Sequence, residues 1–236
     1  IDWSNPITRK LHHVFMHDIV NGGIRDLISG IVLPRNNIGT VNEYDAHYGV
    51  NTKFNESAIA FDGFGGNDET NTWMPINPVH EFSTLTICKF TGSASDANEA
   101  SLWSTAGSTG SNNQKAFTDT TIEDGEWHVV GSSLSVSADI MQVYMDGSPL
   151  TPDAPVSPLP GGDTALLRFK PSTNSWEFRQ FSGVSVTEGL QIGQQNQNDK
   201  DGWKGNEALS LFWKRPLSDA EHISMMLDPF QILVPS

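Results

Sequence analysis

Apolar residues recur along this chain in short runs, and polar stretches rich in Gly, Pro, Asn, Ser and Asp separate them. Alternation over Ser57–Phe61, ending in Asp62-Gly63, predicts a strand running into a turn. Phe82–Phe90, Leu102–Ser104, Glu126–Leu134 and Ile140–Met145 read as further strands, and Asp146-Gly147 is a tight-hairpin signal. Ala165–Phe169 and Trp176–Phe181 read as two strands joined at Ser172-Thr173-Asn174, forming an inserted or edge hairpin. Leu209–Trp213 is a late apolar strand. Short strands at this spacing predict two facing antiparallel sheets.

One helix interrupts the pattern. Ser218 is an N-cap with Glu221 three residues later, a capping-box pair, and Pro229 stops the run that follows. Ala220, Ile223 and Leu227 fall on one face at helical spacing, which predicts the buried face. Near the start, Ser4-Asn5-Pro6 is a turn or helix-start signal. Residues 1–25 read as an N-terminal arm and first strand, 26–227 as the sandwich, and 228–236 as a tail. The fold class predicted is all-β: a two-sheet antiparallel sandwich with one short C-terminal helix.

Composition narrows the function. Seven Trp and twelve Phe supply large core units in a chain only 37% hydrophobic. The formal charge of −14 argues against phosphate-backbone binding and against anionic membrane surfaces, so neither nucleic acid nor membrane is an expected partner. Cys88 stands alone, so no intrachain disulfide forms; it reads as a buried small hydrophobe, and its isolation points to assembly in a reducing cell. No basic-then-apolar leader is visible, and no apolar stretch approaches the ~18 residues of a membrane span.

The ordered series of short motifs resembles the laminin-G-like jelly rolls of the concanavalin A-like lectin/glucanase superfamily. The resemblance rests on Asp26–Gly30, Ile59–Gly63, Phe82–Ile87, Gly125–Val130, Val143–Gly147 and the late series Leu190–Gly193, Trp203–Gly205, Leu209–Trp213 and Arg215–Glu221. It covers about Asp26 to Leu227, and the ending Leu227–Leu233 resembles bacteriophage-encoded members. The resemblance implies a jelly-roll topology and a binding or structural role. Two departures, the polar run Gln194–Asp201 and the Ala165–Phe181 hairpin, are where a binding surface particular to this chain is expected.

The resemblance also implies sites. Laminin-G-like domains often hold Ca²⁺ at the sandwich rim, which makes Asp62, Asp199 and Asp201 candidate ligands; plain turn formation by these Asp residues is the stronger competing reading. No cofactor is required, and Ca²⁺ is the one ion that the resemblance allows. Gln195, Asn196, Asn198 and Trp203 offer the amides and ring of a glycan site, although the motif before Gly205 favours the core for Trp203. His12, His13 and His17 lack the further ligands that would complete a zinc set. The Glu-x-Asp-x-Glu strand of the superfamily's glucanases is absent, and Glu123-Asp124-Gly125-Glu126 has the wrong spacing for a carboxylate pair.

The function expected from the sequence is therefore non-catalytic: a structural protein of a tailed-bacteriophage virion, on its surface, assembled in the host cytoplasm. A capsid decoration role comes first, with the major capsid protein or other virion proteins as partners, or further copies of the chain. Trp3, Phe230 and Ile232 are the expected docking anchors. A glycan-binding adhesin module of a phage tail or cell surface is the alternative, and a glycoside hydrolase is third.

Overall fold

The computed structural model describes residues 1–18, 23–30, 32–34, 47–51, 56–62, 80–92, 100–104, 111–118, 122, 124–152, 159, 164–182, 191–193 and 203–234. The strands among them are β1 (Leu11–Asp18), β2 (Gly23–Asp26), β3 (Val32–Pro34), β4 (His47–Asn51), β5 (Glu56–Asp62), β6 (Glu81–Phe90), β7 (Ala100–Ser104) and β8 (Ser111–Thr118). They continue with β9 (His128–Ser135), β10 (Ile140–Met145), β11 (Ser148–Pro149), β12 (Thr151–Pro152), β13 (Thr164–Lys170), β14 (Ser175–Ser182), β15 (Gln191–Ile192) and β16 (Lys204–Trp213). The helix α1 is Asp219–Leu227.

Two antiparallel sheets form, as predicted. The larger runs β11-β10-β9-β6-β16-β1-β2-β3, with β5 also on β16 and β4 on β5; the smaller runs β12-β8-β14-β13-β7-β15. Strand β16 organises the larger sheet. One side pairs with β6, and the other is shared by β5 along Lys204–Glu207 and β1 along Leu209–Trp213, with a register shift between Glu207 and Leu209. Residues 11–18 thus lie inside the larger sheet, and the boundary at residue 26 marks no break in it.

The core has two layers. Between the sheets, Phe82, Phe90, Val130 and Phe212 of the larger face Trp103, Leu167, Phe169, Trp176 and Phe178 of the smaller. Edge-on ring contacts join the layers, with Phe90–Phe169 at 5.2 Å and Phe82–Trp103 at 5.2 Å between centroids. On the other side of the larger sheet, Val14, Leu85, Ile87, Val129, Leu211 and Trp213 pack under Met225 and Met226 of α1. Both faces of β6 and β9 are therefore buried, and a row of small hydroxyls fits between them: Thr84–Ser132 and Ser83–Ser133, each at 2.7 Å. Cys88 is buried as expected, and burial pushes its thiol well above the ordinary range.

The Asp146-Gly147 hairpin forms with φ of 48° and 87°, the left-handed conformations that this dipeptide permits. The capping box at Ser218 also forms. The Glu221 amide donates to Ser218 Oγ at 3.3 Å, while the Ser218 amide donates to Glu221 Oε2 at 2.9 Å.

Two expectations are corrected. The buried face of α1 is His222, Met225 and Met226, whereas Ala220 is exposed and Leu227 is 80% exposed. The cause is the sheet beneath: Gly131 has no side chain, and a Cβ there would stand 2.8 Å from His222 Nδ1, so the imidazole sits where a larger residue would block it. The β13–β14 hairpin is central rather than at an edge, because β14 pairs with β8 and β13 with β7. The N-terminal arm packs on the larger sheet: Ile7 is buried, and its carbonyl accepts from Trp213 Nε1 at 2.8 Å.

Candidate functional site

Strand alternation places a charged cluster on the smaller sheet, on the face turned away from the core. Ala165, Leu167 and Phe169 of β13, with Trp176 and Phe178 of β14, point inward, so Arg168, Lys170, Glu177 and Arg179 point outward. Register sets Arg168 opposite Glu177 and Arg179 opposite Leu166. Arg168 donates to Glu177 Oε2 from Nε at 2.8 Å, and its Nη2 lies 2.7 Å from the same oxygen as an ion pair. Arg179 Nη2 donates to the same oxygen at 3.0 Å, and Lys170 Nζ lies 3.7 Å from Oε1. Burial opposes ionisation of Glu177, but these cations outweigh it and hold the carboxyl below its usual range. Arg168 and Glu177 are buried, while the side chains of Arg179 and Lys170 keep 18% and 35% of their surface. Neighbouring strands set Gln114 of β8 opposite Arg179 and Ser101 of β7 opposite Arg168.

Of these four residues, Arg179 and Lys170 reach solvent and present their donors. They can grip hydroxyls and carboxylates, and among the described residues no nucleophile–base pair stands in the patch. Sequence reasoning missed these four residues. Their signal is the alternation of charge with core residues in Leu167-Arg168-Phe169-Lys170 and Trp176-Glu177-Phe178-Arg179, which marks one face of each strand as polar.

Three histidine arrangements look more like catalytic sites and are structural in their geometry. His13 Nδ1 lies 3.0 Å from Asp26 Oδ2, with His12 Nδ1 2.6 Å from His13 Nε2. Asp26 also accepts from the amides of Val14, Ile28 and Ser29 and from Ser29 Oγ, so it ties β1 to the turn after β2. Burial opposes the Asp26 charge, but these donors prevail and bring its pKa to about 2, whereas burial together with His13 lowers His12 to about 4. His128 bonds Asp146 at 2.6 Å through Nδ1 and Asp124 at 3.1 Å through Nε2. Both ring nitrogens are engaged, so the imidazole offers no lone pair to a metal. His222 and Ser133, 2.8 Å apart, are sealed under α1.

One more carboxyl is unusual. Glu207 faces the inter-sheet core beside its register partner Cys88, and its Oε1 is buried without a hydrogen-bond partner among the described residues. Burial pushes its pKa well above the ordinary range despite a weak bond from Ser210 at 3.4 Å.

Asp62 ends β5, with its backbone paired to Lys204. Asp199, Asp201, Gln195, Asn196 and Asn198 lie outside the described residues. Among the described residues, no group of three or more His, Cys, Asp or Glu is arranged to hold a metal ion. Trp203 is corrected as a ligand residue: it is fully buried, in contact with Phe90 at 5.5 Å and stacked on Trp176 at 6.1 Å, so its ring is closed to a sugar. Ile232 is corrected as a docking anchor, since it is buried in the outer core layer and its carbonyl accepts from the Asp2 amide at 2.7 Å. Phe230 is half-buried against the same layer. Trp3 is 61% exposed.

No protein-family model matches the sequence, and no curated protein matches it either. Solved structures do share the fold. The sialidase of Trypanosoma rangeli in complex with the inhibitor DANA is similar over 94% of this chain and 33% of its own, with a TM-score of 0.53 and 11% identity. The same sialidase with sialic acid gives a TM-score of 0.51 at 10% identity, and the chain spans 34% of it. Domain 4 of AbnA, a GH43 extracellular arabinanase from Geobacillus stearothermophilus, in complex with arabinotriose, has a TM-score of 0.53 at 12% identity. There the likeness covers 92% of this chain and 98% of that one. These likenesses show the fold alone, a β-sandwich.

Proposed function

We propose that this chain is a non-catalytic glycan-binding module on a concanavalin A-like sandwich. The observation that carries this reading is the rigid, donor-rich patch of Arg168, Glu177, Arg179 and Lys170 on the outward face of the smaller sheet. AbnA domain 4, alike in fold over nearly its whole length, is in complex with arabinotriose, which supports a sandwich of this shape as a sugar-binding unit. Hydrolysis is disfavoured by the carboxyls described. Glu177 is neutralised by cations, Glu207 is enclosed in the core, and an imidazole fills the space between Asp124 and Asp146 where a sugar would have to sit. Saturable binding on a glycan array is expected, without release of reducing ends from the bound glycans. A blank array would overturn the reading.

A second reading, capsid decoration on a tailed-bacteriophage virion, is favoured by a different observation. Trp3, Leu227 and Val234 are 61%, 80% and 55% exposed, and the Asp2–Ile232 hydrogen bond brings the two terminal segments together. It places the protein on the virion surface, against the major capsid protein, and a tail position would instead unite it with the glycan reading. Stoichiometric copies across a capsid lattice are its expected result; absence from particles overturns it.

A further inference from the structure

Basic residues are scarce here, 14 Lys and Arg against 28 Asp and Glu. Three of those 14, Arg168, Lys170 and Arg179, nevertheless stand within 3.7 Å of the single carboxylate of Glu177. Arg168 takes the closest place on that carboxylate, donating from Nε at 2.8 Å with Nη2 2.7 Å away. Arg179 reaches it with one nitrogen, and its Nε is buried with no hydrogen-bond partner among the described residues. Lys170 stands at 3.7 Å, beyond hydrogen-bonding range, with a third of its side chain open. Among the described residues, Glu177 is the one carboxylate within 4 Å of Arg179 and Lys170, and Arg168 already engages it. An anion arriving from solvent would pair with both cations.

We propose that Arg179 and Lys170 form an anionic subsite, and that the ligand of this face is a glycan bearing a carboxylate. This deepens the glycan-binding reading and rests on it. A guanidinium presents paired donors to a carboxylate, and the ammonium adds a point charge beside it. Both side chains rise from paired, central strands of the smaller sheet, so little order has to be gained on binding.

The test is calorimetric titration of the full chain with trigalacturonate and with sialyllactose, each beside a neutral counterpart, the galacturonate methyl ester and lactose. At least one acidic sugar is expected to bind about ten-fold or more tighter than its counterpart, because a charge-assisted pair replaces a neutral one. Arg179→Gln and the more exposed Lys170→Gln should each cost an acidic sugar about ten-fold more affinity than its neutral counterpart. The arm that responds identifies a uronate or a sialate. Equal affinity for acidic and neutral sugars, or variants that bind acidic sugars like the parent, would overturn the inference while leaving the glycan reading intact. Failure of all four probes beside a positive glycan array overturns the inference alone, and failure beside a blank array overturns both.

Discussion

Ser133 Oγ lies 2.8 Å from His222 Nε2, the spacing of a serine–histidine catalytic pair, yet both side chains are closed off beneath α1. The hydroxyl also meets Ser83 Oγ at 2.7 Å and the Leu217 carbonyl at 3.2 Å, while the Leu217 amide donates to Ser83 Oγ at 2.8 Å. Tyr144 stacks on the imidazole at 4.1 Å and donates to Asp219 at 2.7 Å. With the imidazole proton on Nε2, His222 donates to Ser133 Oγ while Nδ1 stays without a partner among the described residues, and the contact fastens the helix to the larger sheet. Ser133→Ala strands Ser83 and His222, so it should cost about 1–3 kcal/mol in urea unfolding. A change below a few tenths of a kcal/mol would refute this fastening role.

Stability should fall as pH drops below neutrality because of the same histidine. Burial lowers the pKa of His222 from 6.5 to about 3. Between those values the unfolded chain binds a proton that the folded chain refuses, so stability is fully present above pH 6.5 and declines toward pH 3. The slope reaches about 1.4 kcal/mol per pH unit for one proton. His12, lowered to about 4, adds a slope of the same sign. His222→Gln should flatten the decline by about one proton between pH 6.5 and 4.5, read from urea midpoints. An unchanged slope would show that His222 is open to solvent.

His128 acts with the opposite sign. Burial disfavours its charge, but hydrogen bonds to Asp146 and Asp124 win and raise its pKa. Its contribution is fully present below pH 6.5 and is lost as pH rises through the folded-state value. Asp124 and Asp146 are 37% and 43% exposed, which limits the ion-pair contribution to about 0.5–1 kcal/mol. Asp146→Asn should therefore destabilise more at pH 6 than at pH 9, and proton NMR should show the His128 titration moving to lower pH. A midpoint unaltered by the substitution would contradict the pairing.

Gly205 sits at φ +152°, and a Cβ there would fall 1.9 Å from the Lys89 carbonyl oxygen. The obstacle is backbone of the neighbouring β6, which cannot move without breaking the central ladder. Gly205→Ala should cost more than about 3 kcal/mol or prevent folding. A melting temperature within a degree or two of the parent would mean that this strand pair is spaced differently.

Trp3 and Ile232 should separate docking from packing. Ile232→Ala empties a buried site and should lose about 2–4 kcal/mol. Trp3→Ala should alter stability by less than about 0.5 kcal/mol and, on the virion reading, weaken attachment to particles. Equal stability losses from both would place the Trp3 ring in the core.

Features that depend on neighbours in sequence were legible. Ile140–Met145 alternates and ends in Asp-Gly, and it forms β10 with the expected turn. Ser218 and Glu221 are three residues apart, and their mutual cap needs nothing from the rest of the chain. Ser111–Thr118 was not legible, because its Ser, Asn, Gln and Lys residues carry no apolar period; it is a strand because β14 pairs along it. The outward cluster was equally hidden. Arg168 and Glu177 are nine residues apart and meet only through the hairpin register.

By itself the sequence determined the class of fold, most of the long strands, the helix cap and the enclosure of Cys88, since period, turn chemistry and burial tendency are local properties of a chain. Tertiary structure alone decided that β16 lies between β6 and β1, that α1 buries His222 in place of Leu227, that Trp203 is closed to ligands, and that three cations share Glu177. Each of these outcomes depends on which distant strands meet and in what register, and register is set by the fit of whole faces against one another.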